Sequence, residues 1–280
     1  MARVYRRATL ATLLILLSGC SSTTFLYNRL DFIVPWYVQK YVDLDRVQTQ
    51  SLKEMLQPFL AWHRTRELPA YLALLDDVEA LLKTEVSSEA LRTILLDAEA
   101  AWLRTEDKGL DWLIGLGEQL SSEQINEFIT ELRDKQKEYE EEYLDRSEEE
   151  YREDAYDNLM DSTQDYLGRL DALQREVYRD AAEQLLRSDA IWLRERAVWL
   201  DRLENILRRE PGWQQVLRDS LVNREQSRSA EYRETYEHNL QVVLNAVAAV
   251  LNSRDQKQDR RLHGKVNDLR EDLQALIAKD

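Results

Sequence analysis

Acid–base, nucleophilic or metal chemistry in this 280-residue chain has little to draw on: three histidines, at positions 63, 238 and 263, and one thiol, Cys20. No His-Glu-x-x-His pair occurs, nor a Glu-x-x-His pair of the kind that builds di-iron helical bundles. Glu234 and His238 stand four apart, which on a helix supplies either half a metal site or an ordinary surface pair. There is no Gly-rich phosphate loop and no Gly-x-Ser-x-Gly elbow. The expectation is a protein that is not an enzyme and uses neither metal nor cofactor. An enzyme or small-molecule carrier with a pocket inside a helical bundle is the remaining chemical alternative.

The thiol has a different chemistry open to it. Arg3, Arg6 and Arg7 form a basic leader, Ala8 to Leu16 an apolar run, and Leu17-Ser18-Gly19-Cys20 closes it. This is the three-part form of an export signal, and the apolar run is about half the ~20 residues that a spanning helix needs. Leu17-Ser18-Gly19-Cys20 resembles the lipobox of bacterial lipoproteins. That resemblance implies signal-peptidase recognition at Leu17, Ser18 and Gly19, and lipid on Cys20. Ser21 in the next position resembles the sorting signal for an outer membrane, with the fold facing the periplasm. Loss of residues 1–19 removes three arginines and no acid, taking the formal charge from −15 to −18. So acidic a chain repels nucleic acid, which is bound through a surplus of Lys and Arg.

The elements expected to position these residues are helices. Seven glycines and four prolines leave long breaker-free runs. Apolar residues recur three or four apart in Ile94, Leu95, Ala98, Ala101 and Trp102, and again in Val266, Leu269, Leu273 and Leu276. Nothing alternates with period two. The spacing predicts an all-α fold: an elongated antiparallel multi-helix bundle or curved helical layer. A signal peptide at 1–19, a lipidated tether at 20–24 and one helical domain at 25–280 are expected. Within that domain an aromatic segment at 25–42 precedes helices near 45–66, 69–84, 88–116, 121–157, 160–208, 212–252 and 255–278. Leu240 to Leu251 should be buried nearly all round. Pro58 is expected to kink or start its segment, and Pro69 to sit in a first turn.

Three helix starts share one pattern: Leu44-Asp45-Arg46-Val47-Gln48, Leu120-Ser121-Ser122-Glu123-Gln124 and Leu170-Asp171-Ala172-Leu173-Gln174. In each, Asp or Ser can accept from the first-turn N–H groups while Gln reaches back and Leu staples the turn. Val86-Ser87-Ser88-Glu89-Ala90 is a weaker fourth copy. The Leu120 copy resembles the L-T-x-x-Q motif of the Spy and CpxP periplasmic stress proteins, which implies an ATP-independent chaperone-like role. A broader resemblance, to proteobacterial lipoproteins of unknown function, rests on Leu26-Tyr27-Asn28-Arg29-Leu30-Asp31, Pro35-Trp36-Tyr37, Tyr41-Val42-Asp43-Leu44, Trp62-His63-Arg64 and Glu67-Leu68-Pro69-Ala70-Tyr71. It implies a helical exported lipoprotein and carries over no functional residue.

Trp102, Tyr139, Tyr143 and Tyr151 are the candidate partner-binding residues, with core packing as the alternative. From Glu138 to Asp157 eleven acids face only Arg146 and Arg152, the pattern of a solvated helix face or of a surface receiving a basic client. Phe25, Leu26, Tyr27, Phe32, Ile33, Trp36, Tyr37 and Tyr41 follow the tether. They are expected to pack back onto the bundle, with contact to a membrane interface as the alternative. The functional expectation is a non-enzymatic, membrane-anchored scaffold that binds an envelope protein. A self-associating structural lipoprotein is the alternative.

Overall fold

The structure, a computed structural model, describes residues 22–278, so the expected signal peptide with Leu17, Ser18, Gly19 and Cys20 lies outside the described residues. Among those residues the fold is all-α, without strands, and forms an elongated helical bundle. Two short helices, α1 (Ser22–Tyr27) and α2 (Leu30–Val38), lead into α3 (Arg46–Trp62). A π-helical turn (His63–Glu67) joins α3 to α4 (Leu68–Leu82) without a break. Next come α5 (Ser88–Gln119), α6 (Ser122–Tyr143), α7 (Glu148–Leu167), α8 (Ala172–Gln184), α9 (Asp189–Ile206), α10 (Trp213–Val222), α11 (Ala230–Asn252) and α12 (Gln256–Ile277). At ~1.5 Å per residue, the 32 residues of α5 span about 48 Å and set the long dimension.

Local chemistry explains where the helices break, including breaks that the periodicity alone did not reveal. The stretch 121–157 is two helices, because Ser147 caps α7: its Oγ accepts from the N–H of Glu150 at 3.2 Å, and its own N–H donates to the Glu150 carboxylate at 2.7 Å. The stretch 160–208 is three, broken first at Gly168, whose φ of 77° and ψ of −149° are essentially closed to residues with a Cβ. The second break, at 185–188, is held by Asn239, which brackets the Leu186 backbone with two 2.8 Å bonds. The stretch 212–252 breaks after Val222 and restarts at Ser229, whose Oγ accepts from Tyr232 N–H. Pro58 lies inside α3 rather than at its start, and Pro69 sits in the first turn of α4. Within 240–251, Leu244, Ala246, Ala248 and Val250 are buried, whereas Gln241, Asn245 and Ala249 face solvent.

The helices repeat one plan twice. α3 leads through the π turn into α4 and is followed in the chain by α5 and α6; α8 leads into α9 and, after α10, is followed by α11 and α12. α3 packs on α5 as α8 packs on α11, and α5 and α11 pack on each other. The later part of each leading helix crosses to the other half: α4 packs on α12, and α9 on α6. Leu68, on α4, is therefore fully buried against Leu269, Leu273 and Leu276 of α12. Burying four such side chains stabilises by roughly 6–12 kcal/mol before the entropy of ordering them is set against it.

Candidate functional site

The π turn places His63 among residues that are distant in sequence. Turns of this kind insert an extra residue into a helix and are frequent at functional sites. The half-buried His63 ring lies between two hydroxyls: Tyr27 Oη is 2.9 Å from Nδ1, and Tyr71 Oη is 3.3 Å from Nε2. The tautomer follows from donor counting. Thr105 donates its only hydroxyl proton to the Ala101 carbonyl at 3.0 Å, so Tyr71 must donate to Thr105 Oγ1 across 3.2 Å. Tyr71 therefore accepts from His63 Nε2–H, leaving Nδ1 to accept from Tyr27. The result is a directional chain, Tyr27 to His63 to Tyr71 to Thr105, that crosses from α1 through the π turn and α4 to α5.

Burial keeps this chain uncharged. It pulls the His63 imidazole from 6.5 down to about 4, although Glu67 pulls the other way. It also pushes the Tyr27 phenol up to about 12, with Arg64 opposing, and raises Tyr71. Around the rings, Arg104 grips the buried Glu67 carboxylate with Nη2 at 2.9 Å and Nε at 3.1 Å. Arg64 donates to Asn28 Oδ1 at 3.0 Å and to the Leu276 carbonyl at 3.2 Å. Thr24 donates to Asp272 at 3.3 Å. The cluster ties α1 to the ends of α3, α4 and α12 through directional bonds.

A second arrangement occurs once in each half, joining its leading helix to its last one. In each capping box the Gln side chain accepts from the N–H of its cap residue, Asp45, Ser121, Asp171 or Asp255. The boxes then interlock in pairs. Gln48 and Gln124 exchange amide hydrogen bonds at 2.9 and 2.7 Å, and Gln174 and Gln258 do so at 3.0 and 2.8 Å. Each Nε2 uses its second proton on a group two residues before the partner's cap: Gln119 O, Asp43 O, Ser253 Oγ and Arg169 O. Every donor and acceptor of the four amides is thereby satisfied.

Of the candidate partner-binding residues, the structure brings three together. Tyr143 is buried, with its ring centroid 6.3 Å from Trp192, and Tyr139 is half-buried, 5.8 Å from the same indole. Arg146 lies over the rings of both Tyr143 and Tyr151 and pairs with Asp154 and Asp189. Tyr151 donates to the Leu186 carbonyl at 3.0 Å. Trp102 is half-buried on α5. Glu141, Glu142, Asp145, Glu148, Glu149 and Glu153 all face solvent, as a solvated acidic face requires.

A surface the sequence reading had not singled out lies where α5 meets α11. Leu96 and Leu103, seven residues apart on α5, are 56% and 50% exposed, and Tyr236 on α11 is 43% exposed. Glu99, between the two leucines on the same face, hydrogen-bonds Tyr236; burial and the nearby Glu225 raise its carboxyl above the usual range. Tyr236 stacks on Tyr232 with centroids 6.3 Å apart. Among the described residues no group of three or more His, Cys, Asp or Glu could hold a metal ion, and no helix is long and apolar enough to cross a membrane.

Residues 40–233, more than half of the chain, match a family of unknown function, DUF6279. The chain belongs to DUF6279. No curated protein and no solved structure matches it. The DUF6279 region holds the π turn, the interlocked Gln48 and Gln124, and the Leu96–Leu103 surface. Tyr27, Gln258 and Tyr236 lie outside it, although each completes a contact begun within it.

Proposed function

We propose that this DUF6279 chain is a lipid-anchored lipoprotein of the bacterial cell envelope and acts without catalysis, as a scaffold that holds another protein against its bundle. The observation that carries the binding role is the surface around Glu99. Leu96, Leu103 and Tyr236 expose apolar area on two adjoining helices, within reach of acids at Glu99, Glu225 and Glu237. A cluster of this kind, unlike scattered single apolar side chains, is a recognised sign of a binding site. Arg92 pairs with Glu237, and Arg224 and Arg228 with Glu225, so the rim is largely neutralised and the surface suits a partner presenting mainly apolar side chains, such as an incompletely folded chain. The chaperone-like version of the role agrees with the resemblance of the capped starts to the Spy and CpxP motif. The anchoring part rests on the Leu17-Ser18-Gly19-Cys20 sequence.

Photoreactive residues at positions 96, 103 and 236 of the full chain, crosslinked in intact cells, test the role. Many unrelated envelope proteins captured support chaperone-like binding, and one recurrent protein supports a dedicated scaffold. Only self-products replace the proposal with a structural, self-associating lipoprotein, and no products reject it. Leu96→Ser with Leu103→Ser should reduce capture while moving stability by only about 0.5 kcal/mol, because both side chains are exposed. Cys20→Ala tests the anchor: processing and membrane recovery unchanged from the parent would reject lipidation.

A further inference from the structure

The first two helices are apolar on two opposite sides, and the bundle covers only one. α2 reads Leu30-Asp31-Phe32-Ile33-Val34-Pro35-Trp36-Tyr37-Val38, with Asp31 as its single charge. Tyr27 turns inward to His63, Val34 and Val38 lie against the Leu52–Leu56 core, and Tyr41 meets Phe128 edge-on at 6.4 Å. On the other side, Phe25 is 61% exposed, Phe32 63% and Trp36 51%, flanked by the exposed Leu26 and Tyr37. The expected packing onto the bundle therefore holds for the inward half alone. Phe32 and Trp36 stand one turn apart on α2, Phe25 lies on α1, and Arg29 and Lys40 fall in the turns that follow the two helices; these five make up the exposed stripe. The Arg29 guanidinium lies over Phe25 at 5.6 Å, and Lys40 Nζ over the Trp36 ring at 3.9 Å. A helix that is apolar all round is normally covered all round.

We propose that this stripe seats the protein on a phospholipid bilayer, with the Phe25, Phe32 and Trp36 rings at headgroup level and Arg29 and Lys40 reaching for phosphates. The proposal builds on the reading of Cys20 as lipidated. At up to ~3.6 Å per residue, the five-residue step from Cys20 holds the Phe25 Cα within about 18 Å of the lipidated residue's Cα, so the stripe cannot leave the membrane's neighbourhood. Its chemistry fits that surface: Trp and Tyr favour the interface, and cations beside apolar rings mark helices that lie in it. The charge also fits. Residues 22–42 carry Arg29 and Lys40 against Asp31, a local surplus of one positive charge in a chain of −15. Because Thr24, Tyr27 and Asn28 are bonded to Asp272, His63 and Arg64, a seated stripe fixes the orientation of the whole bundle instead of leaving it on a leash.

The test uses the full chain purified from membranes and carrying one introduced cysteine, Phe32→Cys or Trp36→Cys, labelled with an environment-sensitive fluorophore. Leu96→Cys and Val198→Cys, at exposed apolar positions elsewhere, serve as controls, and the parent chain reports labelling at Cys20 itself. Vesicles of phosphatidylethanolamine and phosphatidylglycerol with nitroxide-bearing acyl chains are added. Blue-shifted, nitroxide-quenched emission at 32 and 36, with neither change at 96 and 198, is the expected result. Emission at 32 and 36 that stays as in solution overturns the proposal. So does emission shielded from aqueous iodide but untouched by the nitroxides, which means that a protein or a second copy covers the stripe. The mass of the Cys20 peptide is read separately. An unmodified thiol overturns the anchor alone, and quenching at 32 and 36 on adding vesicles then still decides the stripe.

Discussion

His63→Gln should flatten part of the dependence of stability on pH. The glutamine can accept from Tyr27 through Oε1 and donate to Tyr71 through Nε2, keeping both contacts of the imidazole without its titration. In the folded chain His63 takes up a proton only near pH 4, against 6.5 for the free side chain. Above pH 6.5 the imidazole is neutral in both states and contributes no pH dependence. Between 6.5 and 4 the unfolded chain binds a proton that the folded chain does not, so stability falls with falling pH. Linkage over that gap gives a loss of about 1.4 kcal/mol at pH 5.5 and about 2.5 kcal/mol at pH 4.5, with a limit of about 3.4 kcal/mol well below the folded value. Urea unfolding of both proteins at pH 7.5, 5.5 and 4.5 measures it. Subtracting the variant's curve from the parent's removes the carboxylates common to both. The parent should lose ground on the variant by those amounts; a difference that stays constant across the three pH values would refute the buried, neutral imidazole.

Other substitutions probe the packing. Gln174→Glu replaces an amide donor with a second acceptor facing Gln258 Oε1 and Ser253 Oγ, and should cost about 3 kcal/mol in urea unfolding at pH 7. That cost should shrink in acid, where a protonated carboxyl can donate again. Tyr143→Ala removes a ring packed on Trp192 and should destabilise by roughly 3 kcal/mol, whereas a residue acting only as a surface contact would lose binding without stability. Gly168→Ala forces a Cβ into a backbone with φ of 77° and to within 3.3 Å of Arg261 Cδ, so thermal unfolding should show a loss of about 1–3 kcal/mol.

What the sequence disclosed was local. Asp45, Ser121 and Asp171 could be read as caps because a capping box closes within four residues; Asp45 and Ser121 begin helices at the expected positions, and Asp171 caps α8 inside a stretch expected to run unbroken from 160 to 208. The fourth interlocked box escaped notice because Arg254, not Leu, precedes Asp255. That arginine has a separate task, donating to the carbonyls of Leu82 and Leu251 and pairing with Asp259. Ser147 was hidden inside a run whose polarity looked like uninterrupted helix, although Ser147 and Glu150 carry the signature of a box. The His63 chain had no local signature: positions 27, 63, 71 and 105 meet only after four elements fold together. The same holds for the Leu96 surface, where period alone could not say which face of α5 would meet α11.

The repeated plan bears on how much of this chain is one unit. The region that matches DUF6279 ends at residue 233, early in α11, yet no boundary in the packing falls there. α4 lies within the matched region and buries Leu68 against α12, which lies outside it. Gln174, within it, spends both amide protons on Ser253 and Gln258, both outside. Leu82 and Val86 share a core with Val250, Leu262 and Val266. The first half keeps the Leu52–Leu56 core to itself, but α4 packs on α12 and α9 on α6, so each half also buries a helix against the other. Removing α12 would bare the Leu68 face and take Gln258 from the Gln174 amide, and the lost burial alone costs a sizeable part of the ~5–15 kcal/mol that separates folded from unfolded chains. By this physical criterion the described residues after 233 belong to the same cooperative fold as the matched region, and the Glu99 surface, built from one helix of each half, exists only when that fold is whole.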